Sequence, residues 1–218
     1  FKVPEFTKLF AGVNRVDYFG RDLVDPASCP GGSVNSSIPG CDLIQPVIIT
    51  GGKTDLQPEE SEQKSIGFVF SPTDAFNLSL DWWEIERLNT IRVPNLATLT
   101  ANYALFPDNW IRDSSGKVTA IDQRYINSGG TLTRGVELDA NLSGELAGGR
   151  WQVNLNGSYI DTFKEKSLAN EPYGENKVGE YVRFYNLPLK WKHTLSFGWA
   201  RGDWAHLLTQ VYRSGYKD

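Results

Sequence analysis

The sequence predicts an all-β chain: the antiparallel wall of a transmembrane β-barrel, carrying long extracellular loops. Three observations predict it. Apolar and polar residues alternate with period two, pairs of such runs are joined by tight turns, and the pairs are separated by much longer connections.

The first pair begins at Lys64, where Ile66, Phe68 and Phe70 alternate with Ser65, Gly67 and Val69. A turn follows at Ser71-Pro72-Thr73-Asp74. Phe76, Leu78, Leu80 and Trp82 then share one face, with Asn77, Ser79 and Asp81 on the other. In the second pair Val136, Leu138, Ala140 and Leu142 precede a turn at Gly148-Gly149, after which Trp151, Val153, Leu155 and Tyr159 continue the pattern. The third pair runs through Trp191, His193, Leu195, Phe197 and Trp199, turns at Arg201-Gly202-Asp203, and returns from Trp204 to Arg213.

Between the pairs lie 11–60, 89–119 and 164–187. Compact soluble domains seldom hold several structureless loops beyond about 15 residues. Outer-membrane barrels do, with short turns on the periplasmic side and long loops outside. Within the second connection, Leu96, Leu99, Tyr103 and Leu105 follow Pro94-Asn95 at near-helical spacing, which fits either a short surface helix or irregular loop. Residues 117–127 read as extended, lengthening the strand that contains Arg134 to Leu142.

Aromatic residues gather near the strand ends: Trp82, Trp83, Trp151, Tyr159, Trp191, Trp199, Trp204 and Tyr212. Rings with one apolar and one hydrogen-bonding edge favour the headgroup region, so they fit an aromatic girdle. Sandwich core aromatics are the other reading.

Composition narrows the function. The 218 residues are 40% hydrophobic and 22% charged, with 7 Trp, 9 Tyr, 11 Phe and no Met. No run approaches the roughly 18 apolar residues of a spanning helix. The mean hydropathy of -0.37 does not discriminate, because barrel strands average to soluble values. The net charge of -4 is dispersed, with no basic stripe for a phosphate backbone, so no nucleic-acid partner is expected. Residues 1–10 lack the pattern of a signal peptide, which points to prior processing or a start in mid-protein.

Cys29 and Cys41 bracket a Gly-, Pro- and Ser-rich stretch, which reads as a local disulfide in an oxidising compartment or as two unpaired thiols. Two cysteines cannot complete a tetrahedral zinc site, and His193 and His206 lie in strand-like sequence as structural or surface residues. No metal site and no cofactor is therefore expected. No P-loop, GxSxG elbow, HExxH or EF-hand spacing occurs, and no catalytic residue is assigned. Glu59-Glu60, and Asp17 with Asp22 or Asp25, read as solvated loop charges, and Asp25-Pro26 as turn punctuation. The chain is not expected to be an enzyme. Asn-x-Ser matches at Asn35, Asn77 and Asn141 are poor glycosylation sites, since two fall inside predicted strands.

Specific strings add a family resemblance. Phe1-Lys2-Val3-Pro4-Glu5-Phe6-Thr7-Lys8-Leu9-Phe10 resembles a strand end of TonB-dependent outer-membrane receptors, and Thr54-Asp55-Leu56-Gln57-Pro58-Glu59-Glu60-Ser61 is similar to the segment that precedes one of their strands. Leu78-Ser79-Leu80-Asp81-Trp82-Trp83-Glu84-Ile85, Thr133-Arg134-Gly135-Val136-Glu137 and Pro188-Leu189-Lys190-Trp191-Lys192 follow in the family's order.

The resemblance implies part of a roughly 22-stranded barrel in the outer membrane of a Gram-negative bacterium. Such barrels take up a scarce nutrient such as a ferric siderophore, cobalamin or a saccharide. The expected partners are outer-membrane lipid, that small-molecule ligand, the remainder of the barrel, and a separate plug domain through which TonB acts. On this expectation residues 1–218 are a partial barrel domain of about six strands without the plug, with more strands following the end at Ser214 to Asp218, which lacks the family's terminal aromatic. An open sheet of that size leaves two unpaired edges. Tyr103, Trp110, Arg112, Arg124 and Tyr173, in the predicted outer loops, are candidate ligand contacts. The alternative from another class is a soluble extracellular β-sandwich carbohydrate-binding module, whose apolar faces a second sheet would cover.

Overall fold

A computed structural model describes residues 2–181 and 187–217. In chain order it contains α1 (Phe6–Phe10), β1 (Asn14–Asp17), β2 (Val47–Thr50), β3 (Glu60–Thr73), β4 (Phe76–Leu88), β5 (Ile91–Arg92) and α2 (Leu96–Ala101). Two 3-10 turns follow (Tyr103–Leu105, Pro107–Asn109), then β6 (Trp110–Arg112), β7 (Val118–Asp122), β8 (Ile126–Asn127), β9 (Gly130–Leu146), β10 (Gly149–Lys166), β11 (Trp191–Arg201) and β12 (Trp204–Arg213). The chain divides into two compact units: a loop unit, Phe1–Glu59 with Asn89–Ser128, and a sheet unit, Glu60–Leu88 with Gly129–Asp218.

The sheet unit is one antiparallel six-stranded sheet in the order β12-β11-β10-β9-β4-β3, open at both edges. Its strands are the three predicted hairpins. β4 and β9 are direct neighbours although Asn89–Ser128 separates them in sequence. The turn between β9 and β10 is Ala147-Gly148, both residues at positive φ as the twist-matched two-residue hairpin turn requires. The first turn falls at Asp74-Ala75, later than predicted, because β3 continues through an irregularity between Phe70 and Thr73.

Register places most apolar residues of the sheet on one face, with Val69, Ile85, Leu207 and Val211 on the other. Phe70, Leu78, Ala140, Leu155 and Leu195 form one cross-strand row, and Phe68, Leu80, Leu138, Gly157, His193 and Tyr212 the next. The band ends in aromatic rows, with Trp82, Tyr159 and Trp191 toward the long connections and Trp151, Trp199 and Trp204 toward the hairpin turns. Trp151 to Tyr159 spans about 26 Å along the strand before tilt, on the scale of the ~25 Å apolar band of a membrane barrel. Trp83 is a correction: one residue beyond Trp82, it falls on the opposite face, with its indole over Gly135, where a Cβ would come 2.8 Å from the ring. Both histidines contact the aromatic rows. The Trp191 indole N–H donates to His193 Nδ1 at 2.8 Å, His193 stacks on Tyr212, and His206 stacks between Trp199 and Trp204.

The opposite face is polar and hydrogen-bonded across strands. Asn141 donates to Asn154, Asn154 to Ser196, and Asn156 to Asp139 at 2.6 Å. The apolar face has no such partners: Ile66 is 71% exposed and Leu208 72%. A sandwich would cover this face with a second sheet, so this exposure argues against that alternative.

The loop unit departs from the sequence reading. Residues 11–60 and 89–119 are not wholly irregular: with the residues up to Asn127 they build a four-stranded sheet, β1-β2-β7-β6, and the β5-β8 pair, while 18–46 carry no strand beyond the Val24–Leu43 bridge. β2 and β7 run parallel, Val47 opposite Ala120, so the expectation of a purely antiparallel chain fails here. Residues 117–127 are extended, as expected, but do not lengthen β9: β7 belongs to this separate sheet. Phe6–Phe10, read as a strand end, is a helical turn. α2 forms as the spacing allowed, because Asn95 accepts the Thr98 N–H at 2.7 Å and caps it. Residues 182–186, in the third connection, lie outside the described residues, as do the first and last residues of the strings quoted from the two ends.

Candidate functional site

The core of the loop unit explains where most candidate contacts sit. Leu23, Leu99, Trp110, Val118 and Ile121 form a buried cluster, packed by Tyr18, Ile44, Ile48, Leu96, Tyr103 and Phe106. Trp110 is 3% exposed and meets Tyr103 edge-on at 5.9 Å. Its ring is spent on this core.

Arg112, at the end of β6, reaches the opposite part of the unit. Its two terminal nitrogens donate to Asp25 Oδ2 at 2.6 Å and Oδ1 at 2.8 Å, and the same guanidinium donates to Gly116 O and to the Tyr103 hydroxyl. Such a forked, charge-assisted pair is the strong geometry for arginine and carboxylate. The Arg112 hydrogen bonds hold the Asp25 carboxyl below the ordinary carboxylate range despite burial, and they raise Arg112 in return. Asp25 is 5% exposed, which corrects its reading as a solvated charge. Its Oδ1 also accepts the Ala27 N–H at 3.0 Å, so the predicted turn is present and anchored.

That turn leads into Cys29, which is bridged to Cys41 with Cα atoms 4.9 Å apart. Both sulfurs are buried beside Val24, while 30–40 are exposed. Arg112, Asp25 and the disulfide therefore form one continuous frame under an exposed loop.

Arg124 lies beyond β7 and pairs with Asp122, through Nε at 2.9 Å and Nη2 at 2.8 Å. Burial pushes the Asp122 carboxyl up, but the Arg124 hydrogen bonds outweigh it and leave it lowered. Glu59 is a second correction to the solvated-charge reading, since it is 4% exposed and accepts the Ile91 N–H at 3.0 Å.

Tyr173 belongs to the sheet unit. Its hydroxyl donates to Glu86 at 2.7 Å and Lys166 Nζ lies 4.9 Å from the ring centroid. Burial, then the Glu86 carboxylate, raise its phenol. The structure thus brings Tyr103, Trp110 and Arg112 together, and places Arg124 and Tyr173 in separate pairs. Among the described residues, no three His, Cys, Asp or Glu side chains converge as metal ligands.

Sequence reasoning missed the carboxylate that each arginine meets. For Arg124 the partner is two residues away, a signal present in the string Asp122-Gln123-Arg124. For Arg112 the partner is Asp25, 87 residues distant, and no local pattern announces it.

Among curated proteins no relative of this sequence is found. Among solved structures the chain is similar to the siderophore receptor PirA from Acinetobacter baumannii, with 18% identity over 80% of this chain and a TM-score of 0.45. The chain spans 23% of that receptor's length. The family model described as TonB dependent receptor-like, beta-barrel matches residues 1–218, across both units. With that match over its full length, the chain belongs to the TonB-dependent receptor β-barrel family.

Proposed function

We propose that this chain is part of the barrel domain of an outer-membrane receptor that takes up a scarce nutrient, with the TonB complex acting through a separate plug. In this reading residues 1–218 contribute a six-stranded portion of a roughly 22-stranded wall together with one elaborate outer loop region. The observation that carries it is the exposed apolar face bounded by two aromatic rows, with hydrogen-bonded amides on the reverse. Water penalises such a face, and a bilayer does not. In this reading the role is binding and passage, with Arg112–Asp25 and Arg124–Asp122 as framing pairs of the loop unit.

The ligand is a small molecule of the class that includes ferric siderophores, cobalamin and saccharides. Arg124 and Tyr173, part-buried and near the surface of their units, are the better contacts. Tyr103, Trp110 and Arg112 hold the loop unit in shape.

The test is location and depth. The full protein, expressed in a Gram-negative host, is expected in the outer-membrane fraction, with a fluorophore at Leu208→Cys quenched by brominated lipid and one at Phe19→Cys, on an exposed loop residue, unquenched. Recovery as a soluble periplasmic protein overturns the reading.

A further inference from the structure

A cleft of about 440 Å³ opens in the loop unit between Gly20-Arg21, Leu43-Ile44-Gln45 and Lys117-Val118. Each of its walls is held by contacts of its own. Tyr18 donates to Asp22 Oδ1 at 2.6 Å, closing its ring over Gly20, where a Cβ would sit 2.3 Å from the ring. A side chain at position 20 would meet that ring, so the fold-back beside Arg21 uses the glycine. The second wall is tied by Ile44 N–H to Leu23 O at 2.9 Å, with Ile44 against the buried cluster. The third is the turn before β7, where Asp113 Oδ1 accepts the Ser115 and Lys117 N–H groups and Asp113 N–H bonds Lys117 O. Val118 then enters the core at 4% exposure.

Two cations flank this cleft, and among the described residues neither Arg21 nor Lys117 makes an ion pair or side-chain hydrogen bond. The nearby carboxylates have other employment. Asp22 accepts the Tyr18 hydroxyl, and Asp113 is bonded within its own turn to Ser115 and to the Lys117 backbone N–H rather than to the Lys117 ammonium. The other arginines of the frame are paired: Arg112 with Asp25 and Arg124 with Asp122. A concave site with fixed backbone, apolar flanks and two unneutralised cations is suited to a ligand that brings negative charge.

We propose that this cleft binds an oxyanion-bearing ligand, through a carboxylate or phosphate set between Arg21 and Lys117, with the ligand's apolar part against Leu43 and Ile44. The proposal rests on the receptor reading, which gives the loop unit a ligand, and it narrows that ligand to an anionic one.

The test measures binding of citrate, pyrophosphate and maltose to the purified full protein in detergent, without energised transport. Citrate or pyrophosphate is expected to bind, more weakly as salt rises, and maltose is not. The double variant R21Q/K117Q is expected to weaken anion binding by about 10-fold or more, the scale of a lost charge-assisted contact. K117R is expected to retain binding, and R15Q, which removes an exposed cation on β1, to leave it unchanged. Citrate binding alone identifies a carboxylate ligand, and pyrophosphate binding alone a phosphate one. Binding of neither anion, equal binding of maltose, or equal loss in R15Q overturns the proposal. Outer-membrane location is scored separately, so a soluble protein that still binds citrate sinks the receptor reading and not the cleft.

Discussion

The two units of this chain solve opposite problems with the same residue types. The loop unit buries Leu99 and Ile121 completely, closes Trp110 against Tyr103, and ties its exposed loop with the Cys29–Cys41 bridge and the Asp25–Arg112 pair. It is organised as a small protein in water is. The sheet unit has few buried side chains; it turns Ile66, Phe68 and Leu208 outward and satisfies its backbone through the ladder. A hydrophobic core offsets conformational entropy in the first, whereas in the second the apolar face is stable only where the surroundings are apolar too. Placement of apolar residues thus reports the solvent that each unit meets.

The contrast is broken most directly from the core side. Trp110→Ala removes the largest ring of the loop unit's cluster, a loss on the order of 3–5 kcal/mol for a buried tryptophan. Limited proteolysis should then cut within the loop unit while the sheet stays protected in detergent. Cleavage of both at once would show that the units do not have separate stabilities.

The complementary change tests the bilayer side. Leu195→Arg lies in the middle row of the apolar face, where an arginine near the membrane midplane costs about 2–4 kcal/mol. Folding into liposomes, followed by urea titration, should lose that amount. Leu105→Arg, in the loop unit and 50% exposed, should change little. Equal effects at the two positions would remove the membrane assignment of the face.

Reduction of the Cys29–Cys41 bridge sharpens the comparison further. Closing a short loop of this kind contributes about 2–3 kcal/mol in the chain-entropy model. Dithiothreitol should lower the loop unit's melting temperature and leave the sheet unit's urea midpoint unmoved.

The smallest expected effect is acid sensitivity. The Asp25 carboxyl is held below its ordinary value by Arg112, so the folded loop unit binds fewer protons than the unfolded chain. Its contribution is full above the unfolded value of about 4 and lost as pH falls through the folded value. Asp25→Asn should flatten the loop unit's stability profile below about pH 4. A profile unchanged by that substitution would assign the acid response to another group.

How far the sequence could be read follows the same division. The strands were legible because a half-buried strand in any solvent alternates with period two, as Val136 to Leu142 and Trp151 to Tyr159 do. Even Gly135 stood in a recognisable string, although its reason, the Trp83 ring across the strand, appears only once register is known. The candidate site was far less legible. Tyr103, Trp110 and Arg112 were visible as aromatic and cationic loop residues, but nothing local distinguishes a side chain aimed at a ligand from one aimed at Asp25 or into a core. Arg21 and Lys117 matter for the same reason in reverse, since they lack the partner that proximity could have supplied.

The sequence by itself determined the six sheet strands, their hairpin pairing and the face that is apolar, because these depend on alternation and turn chemistry within short spans. It also carried the family. Only the tertiary structure decided that the long connections fold into a unit with its own core, that β2 and β7 run parallel, and that Asp25 and Glu59 are buried. Those features depend on contacts between residues far apart in the chain, where no periodicity operates and where burial and charge neutralisation are settled by which distant group arrives.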